Sequence, residues 1–467
     1  MIADYFQDLY QAREAEPDEI IRSKNMILSN KNMQENLQVV KEDEIQPQEM
    51  TKTIKKLKRH KSMGPDNIPN EVFIEADTNT REVFRRIFNK IMMKKQIPDI
   101  WRKGTITKIY KGKGRKGKCS NDRGITVSSN AGKVYERIIN DRSMKKANIS
   151  DAQAGGKKGR ATTDHLLILK ETIKHNRKKG MHICFLDVTK AYDKAWLEGI
   201  MYALKKNGLD NYLWEITKDL NSNLTATVKT KHGPTREFPI RDSIRQGGVL
   251  SVMMYALLMD EIAKEIQEQN LGIPIPNINK NLGCLLWMDD VVLIHETQEG
   301  LQNLLNITNT IAKKYHIEFG KEKSKAIQIG RKKTTQDLQL GQMKIEYTTK
   351  YKYLGETINN KLNMENQITE IKRKVEAAYQ TILVIAGDKE LKKIKMQTMW
   401  NLLEVCIKPI ITYAAETWET TKKENTAING IYDKIIKRVL KLPTSTPREV
   451  LYLETKIIDI EHTREKN

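Results

Sequence analysis

The chain has 467 residues, 39% of them hydrophobic and 30% charged, which is enough for two or three domains and too apolar for a disordered polymer. Its 81 Lys and Arg outnumber 59 Asp and Glu, and a net charge of +22 implies a polyanionic partner, most simply nucleic acid. The first residues hold no apolar signal core, the longest apolar stretch (Val249 to Met259) is too short to span a bilayer, and no basic amphipathic helix shows an aromatic face, so no membrane partner is expected.

In chain order, residues 1 to about 50 read as a helical, polar lead-in. Gln46 then opens a basic helix running to about His60. Gly64 to Pro69 is a turn-rich loop. Glu71 to Met93 has helical spacing, with Val72, Phe73, Val83, Ile87, Phe88 and Ile91 expected to face a core. Trp101 to Tyr110 reads as a strand. Lys111 to Lys118 packs five positive charges among three glycines, so Lys113, Arg115 and Lys116 are candidates for a nucleic-acid backbone contact. The competing reading is a solvated, flexible hairpin tip. Gly155 to Arg160 is a second Gly-basic loop, offering Lys157, Lys158 and Arg160 to a template backbone.

Met181 to Asp187 begins as a buried strand, and Asp187 closes its apolar run, where sheets of this type present ligands. Asp193 precedes Lys-Ala-Trp-Leu-Glu and fits a helix N-cap. Tyr192 reads as a buried aromatic at the strand-to-helix junction. Arg245-Gln246-Gly247-Gly248 leads into a long apolar helix, Val249 to Ile266. Cys284 to Met288 and Val291 to Ile294 read as two short strands joined by Asp289-Asp290 in a tight hairpin. Asp-Asp is a poor turn pair, and two like charges between buried strands raise each other's pKa. A sequence breaks local rules in this way mostly where function requires it. The natural compensation is a pair of divalent cations, and carboxylates prefer Mg²⁺. Asp187 lies far before Asp289 in the chain, so only the fold can bring them together. Past about Asn360 the segments Ile368 to Ile385, Lys392 to Tyr413 and Asn425 to Leu440 carry helical apolar spacing with Lys-rich faces. Cys119, Cys184, Cys284 and Cys406 are scattered, without zinc spacing, which fits the reducing nucleus and/or cytoplasm.

An ordered set of motifs resembles one family. Asp187 with Ala-Tyr-Asp just after it, then Arg245-Gln-Gly-Gly-Val-Leu-Ser251, then Met288-Asp-Asp290, resembles a reverse transcriptase, and the finer pattern is similar to the enzymes of non-LTR (LINE-type) retrotransposons. Lys61 to Glu71, Trp101 to Arg142, Gln153-Ala-Gly-Gly, Thr163-Asp164, Phe319 to Lys323 and Lys352-Tyr-Leu-Gly355 extend the resemblance over about residues 55 to 360. The chain departs from the family at Gly156, where Phe is usual, and at Val252, where Pro follows Ser. Trp287 supplies the apolar wall where the family often has an aromatic.

The resemblance implies an α+β right-hand polymerase. Residues 1–54 would form a helical lead-in or linker, 55–148 fingers, 149–360 an antiparallel-sheet palm, and 361–467 a helical thumb. It implies an RNA-directed DNA polymerase working on an RNA template, a DNA primer and dNTPs. Two Mg²⁺ ions, replaceable by Mn²⁺, would be held by Asp187, Asp289 and Asp290. Lys111, Arg123, Gln246 and Gly247 would lie at the incoming nucleotide, and Tyr192 would select deoxynucleotides by blocking a 2′-hydroxyl. Lys323, otherwise an exposed Lys near Lys321 and Lys325, would protonate the leaving pyrophosphate. Two other readings keep the fold: a decayed or domesticated nucleic-acid-binding protein, against which the intact carboxylates speak, and an RNA-directed RNA polymerase, against which Tyr192 speaks. The roughly 60 residues before the first motif hold no His and carboxylate constellation for an endonuclease. The chain is therefore expected to extend a supplied primer without nicking DNA, as a truncated element or the polymerase portion of a larger one.

Overall fold

The computed structural model describes residues 1–11, 43–330, 337–361, 363–385, 395–455 and 460. Its strands are β1 (Lys103–Tyr110), β2 (Asp122–Ser128), β3 (Met181–Asp187), β4 (Leu224–Thr230), β5 (Gly233–Pro234), β6 (Phe238–Ile240), β7 (Ile273–Pro274) and β8 (Asn281–Leu282). They continue as β9 (Cys284–Trp287), β10 (Asp290–His295), β11 (Lys325–Ile329), β12 (Leu338–Leu340), β13 (Met343–Tyr347), β14 (Lys350–Tyr353) and β15 (Glu356–Asn359). A six-stranded sheet has the order β12-β13-β11-β3-β10-β9. Every neighbouring pair in it is antiparallel except β11 with β13.

β3 lies inside that sheet, and Met181 through Leu186 are all buried. A strand covered on both faces needs no polar alternation, which is why its apolar run is continuous. The period of two still sorts the side chains. Cys184 and Leu186 enter a core with the helices Leu250–Glu268 and Gln298–Lys314. Met181, Ile183 and Phe185 enter another with the helix Thr162–Asn176 and with Tyr353 and Ile358. β10 divides in the same way, with Val291 and Leu293 on one side and Val292 and Ile294 on the other.

A second sheet runs β2-β1-β4-β5, with β6 beside β4. The helix Ile2–Leu9 packs on it through Ala3 and Phe6, and the adjacent Tyr10 is buried with them. A Cβ on Gly124 of β2 would lie 2.9 Å from the Phe6 ring, so glycine there admits the helix. The expected lead-in is therefore, over residues 2–10, a built part of this sheet; residues 12–42 lie outside the described ones. From Met364 onward the helices Glu365–Ile385 and Lys422–Val439 share a separate core around Ile371, Val375, Tyr432 and Ile436. Leu403–Ile407 is a π-helical turn within it. Pro409 explains the turn: its ring cannot accept a normal α-helical neighbour at the carbonyl four residues back, on Val405.

Several expected boundaries shift. The helix read over Glu71 to Met93 is two, Glu71–Ile74 and Thr78–Lys94, because Asp77 accepts the Thr80 N–H and starts a new helix. Phe73, Phe88 and Ile91 are buried as expected, but Val72, Val83 and Ile87 are exposed. Trp101 sits in a short helical turn, and the strand begins at Lys103. The basic helix stops at Lys55 rather than near His60. The helix expected from Lys392 is described from Met396, and residues 386–394 lie outside the described ones. No helix among the described residues is long and apolar enough to cross a membrane.

Candidate active site

The carboxylate hairpin is shifted by one residue from its expected register. Trp287 pairs with Asp290, so the two turn residues are Met288 and Asp289, and Asp290 opens β10. Asp290 in turn lies opposite Asp187, the last residue of β3. Met288 holds φ +59°, a left-handed conformation that costs a non-glycine residue about 1–3 kcal/mol. Residues 152–156 supply the restraint. Ala154 N–H donates to the Leu286 carbonyl (3.0 Å) and Leu286 N–H to the Ala152 carbonyl (2.8 Å), so this segment runs along β9. The buried Gln153 then accepts the Met288 N–H (3.2 Å) and the Gly155 N–H (2.9 Å) on its Oε1. Two donors facing one atom identify it as the oxygen. A Cβ on Gly155 would lie 2.5 Å from the Met288 nitrogen, so only glycine fits there.

Three carboxylates meet at this end of the sheet. Like charges directly opposite one another destabilise a strand pair. Burial, then Asp289 and Asp187, push the Asp290 carboxyl up to about 6. Burial and Asp187 also raise Asp289, against Arg123 and Lys323, which lower it. Lys323 Nζ reaches both oxygens of Asp187 at 2.9 and 3.0 Å while its side chain stays mostly exposed. The loop bearing Lys323 is itself tied to β3: the Gly320 N–H donates to the Asp187 carbonyl (2.8 Å) and the Asp187 N–H to Ser324 Oγ (3.3 Å). Among the described residues no three His, Cys, Asp or Glu side chains are gathered closely enough to hold a metal as they stand. Lys323 takes up the Asp187 oxygens in that arrangement. The donors nonetheless fit a hard divalent cation in kind, all being carboxylate oxygens, with Lys323 the cation that faces Asp187 in this arrangement.

Tyr192 stacks on the buried Tyr255 (centroids 5.2 Å apart, planes at 19°). Burial, then the negative charge of Asp289, push its phenol up to about 12. The Gln246 carbonyl accepts the Thr126 N–H of β2 (2.9 Å). Gly247, at φ +114°, lies so close that a Cβ would be 2.9 Å from the Thr126 carbonyl oxygen. Two buried residues outside the expected site hold this loop. Arg245 donates to the carbonyls of Trp101 (3.0 Å) and Leu220 (2.9 Å) and faces Glu136 at 3.5 Å, and Glu136 accepts the Val249 N–H (2.9 Å).

The basic residues fall into different settings. Lys113, Arg115 and Lys116 are exposed at the tip of the β1–β2 hairpin, whose backbone is shaped by Tyr110 on the Gly114 carbonyl and Asn121 on the Arg115 carbonyl. Lys111 and Arg123 stand at the base of that hairpin. Lys157 is committed elsewhere: its ammonium donates to the carbonyls of Ile149 (3.0 Å) and Ser150 (2.6 Å), and burial lowers its pKa. Lys158 and Arg160 are exposed, with Arg160 3.6 Å from Asp151. Asp193 does not cap a helix. The next helix starts at Leu197, whose N–H goes to Asp242 (3.2 Å), and Asp193 is half-buried, its carboxyl raised by burial against the positive charge of Lys190, Lys111 and Arg123. The two departures, Gly156 and Val252, meet: a Cβ on Gly156 would lie 2.7 Å from Val252 Cγ1. Cys184 and Cys284 are buried, in keeping with their strands.

Residues 110–358 match the family of reverse transcriptases (RNA-dependent DNA polymerases). The retrovirus-related Pol polyprotein from type-1 retrotransposable element R2 of Nasonia vitripennis is 25% identical over 406 residues, covering 82% of this chain and 37% of that protein. The probable RNA-directed DNA polymerase from transposon BS of Drosophila melanogaster is 21% identical over 401 residues, covering 82% of this chain and 43% of that one. The structure of telomerase from Candida albicans in complex with the TWJ fragment of telomeric RNA superposes with a TM-score of 0.42 at 12% identity, over 81% of this chain and 69% of that one. This chain thus spans about two fifths of the length of the two retrotransposon relatives.

Proposed function

This chain belongs to the reverse transcriptase family, and on that premise we propose that it extends a primer 3′-hydroxyl with dNTPs along an RNA template, as the polymerase of a non-LTR retrotransposon. The observation that carries the reading is the placing of Asp187 and Asp290 opposite one another at adjoining strand ends, with Asp289 in a restrained turn beside them. We assign residues 55–148 to the fingers, 149–360 to the palm and 361–467 to the thumb.

Asp187, Asp289 and Asp290 would hold divalent cations: two Mg²⁺ ions, with Mn²⁺ able to substitute. When bound, these supply activation of the 3′-hydroxyl and charge stabilisation for the leaving pyrophosphate. The protein's own groups do the rest. β3 and β10 hold Asp187 and Asp290 at the end of a buried sheet, which limits how far they have to move to meet a cation. Lys323 rests on Asp187 and carries a proton within reach of a phosphate bound there, which suits it to protonate the leaving group. Tyr192, fixed by its stack on Tyr255, would close the space a 2′-hydroxyl needs. Gln246 and Gly247, docked on β2, would form the floor under the nascent base pair. Lys111 and Arg123 would meet the triphosphate, and Lys113, Arg115, Lys116, Lys158 and Arg160 the nucleic-acid backbone. Lys157, held by two carbonyls, would act by shaping the 149–160 segment rather than by touching the template.

Primer extension on poly(rA)/oligo(dT) with dNTPs and with rNTPs tests the reading. The expected result is divalent-metal-dependent dNTP incorporation, with rNTP use rising in Tyr192→Val. Preferential rNTP incorporation by the wild type would point to an RNA polymerase. Tight primer–template binding without incorporation would point to a nucleic-acid-binding protein.

A further inference from the structure

We propose that Asp260 is a positioning residue for the carboxylate turn: by holding Ser150 it fixes the 150–156 segment, and that segment sets Met288 and Asp289. The proposal rests on the polymerase reading and adds residues that it does not use. Asp260 lies on the helix Leu250–Glu268 and is fully buried. Both of its carboxylate oxygens are taken by one residue. Oδ2 accepts the Ser150 N–H (2.9 Å) and Oδ1 accepts the Ser150 hydroxyl. Lys264, one turn further along the same helix, stands 3.2 Å from Oδ2 and also donates to the Asn148 carbonyl and to the Asn207 side chain. An ion pair buried in this way adds little stability over an apolar pair of the same volume. What a carboxylate does supply is a directed acceptor that fixes two donors in place.

Ser150 is held on its other side as well. Its carbonyl accepts the Lys157 ammonium (2.6 Å) and the Gln153 N–H (3.3 Å). The N–H, hydroxyl and carbonyl of this one residue are therefore all engaged. Only Asp151 and Ala152 separate it from Gln153, so a displacement at Ser150 has little chain in which to dissipate. From there the segment runs along β9, with Ala152 and Ala154 bonded to Leu286, and brings Gln153 Oε1 to the N–H groups of Met288 and Gly155. The path from Asp260 to the turn is a continuous series of hydrogen bonds.

The far end of the segment meets the same helix. A Cβ on Gly156 would lie 2.7 Å from Val252 Cγ1, and Val252 stands about 12 Å from Asp260 along the helix axis, at a rise of about 1.5 Å per residue. The helix that follows the Gln246–Gly248 loop thus braces the 150–156 segment at both ends. Loop and carboxylate turn take their positions from one element, and Asp260 is the polar tie between that element and the turn.

The test uses the full chain. Asp260→Ala removes both acceptors. Ser150→Ala removes the hydroxyl alone, a small change that keeps the test decisive if Asp260→Ala folds poorly. Amide hydrogen exchange reads the turn without metal or substrate. Exchange at Met288 and Gly155 should quicken by about tenfold in Asp260→Ala and by roughly threefold in Ser150→Ala, while the amides of β3 keep their wild-type rates. Asp260→Asn should recover most of the protection, because its Oδ1 can accept the Ser150 N–H and its amide can donate to Ser150 Oγ. Mn²⁺ titrated into the protein, with Asp289→Asn as the baseline for binding elsewhere, should bind Asp260→Ala about tenfold more weakly, as when an outer support of a metal ligand is lost. In primer extension kcat should fall by a similar factor, with dNTP KM and primer–template affinity near wild type. Asp260→Ala added to Gln153→Leu should cost little beyond Gln153→Leu alone, because both act on Met288. Variants that melt lower but keep wild-type exchange at Met288 and wild-type Mn²⁺ affinity would overturn the proposal and leave Asp260 a stabiliser of the core. So would full additivity of the two substitutions. If the wild type extends no primer, the polymerase reading fails, while faster exchange at Met288 in the Asp260 and Ser150 variants would still support the brace and unchanged exchange would overturn it.

Discussion

Two hairpins carry opposite charge and are built in opposite ways. At the β9–β10 hairpin, Met288 is held at a positive φ, Gln153 satisfies its N–H, Gly155 leaves no slack, and Asp290 is locked across from Asp187. At the β1–β2 hairpin, Tyr110 and Asn121 shape the backbone but the side chains of Lys113, Arg115 and Lys116 stand free in solvent. The difference follows from what each is asked to hold. Metal coordination fails when ligands stray by a fraction of an ångström, whereas a polyanion is neutralised by charge that is merely near it.

That contrast can be broken most severely at the carboxylates. Asp187→Asn or Asp289→Asn should lower the primer-extension rate by roughly 10³-fold or more while leaving primer–template affinity intact, measured side by side by single-turnover extension and filter binding. Extension by Asp289→Asn at the wild-type rate would remove the metal assignment. The next largest effect is expected where the rigid hairpin is braced. Gln153→Leu leaves the Met288 and Gly155 N–H groups without their acceptor, at about 1–3 kcal/mol for each buried donor. Turnover should fall by roughly 10- to 100-fold, as when a catalytic group is misplaced by about an ångström, and Gln153→Glu, which keeps an oxygen there, should recover part of it.

A smaller effect concerns pH. The folded protein holds the Asp290 proton up to about 6, whereas the unfolded chain releases it near 3.8. Below pH 4 both states are protonated and the group is neutral to stability. As pH rises from about 4 to 6 the unfolded state ionises first, so this residue lowers the stability of the metal-free fold. Comparing melting curves of wild type and Asp290→Asn across that range isolates the contribution. The variant should gain a few degrees relative to wild type by pH 7, and added divalent cation should close the gap. The mildest effect belongs to the open hairpin. Replacing Lys113, Arg115 and Lys116 with Ala should flatten the dependence of log affinity on log salt by about 0.7 to 0.9 for each phosphate no longer neutralised, with kcat unchanged. An unchanged slope would leave these residues as solvated charge.

The carboxylates that the fold brings together were legible in the sequence, but their supports were not. Asp187 announces itself by ending an apolar run, and Asp289-Asp290 by interrupting one. The one-residue error in the turn has a physical origin. β9 and β10 are buried on both faces, so no polar alternation marks which residue faces which, and a shift of one is invisible in composition. Gln153, Glu136 and Arg245 act through partners distant in the chain, and a lone polar residue in an apolar stretch gives no hint of which backbone group it will meet. The N-terminal helix was closer to readable. Ala3, Phe6 and Tyr10 stand three and four apart, the spacing of one helical face, and that pattern distinguishes a docked helix from a polar lead-in. Asp193 resembled a cap because its sequence context suits one; the helix starts only at Leu197, and Asp242, distant in the chain, takes the Leu197 N–H.

The meeting of Gly156 with Val252 bears on how this chain could have diverged from its relatives. Gly156 holds φ +77°, and any side chain there would have to begin in the volume that Val252 Cγ1 occupies. A phenylalanine at 156 is thus admissible only after position 252 has given up that methyl, and a valine at 252 only after position 156 has given up its side chain. The two sites form an epistatic pair in which the order of change is constrained, and a chimera that imports a phenylalanine at 156 alone would inherit the clash and not the change at 252 that relieves it.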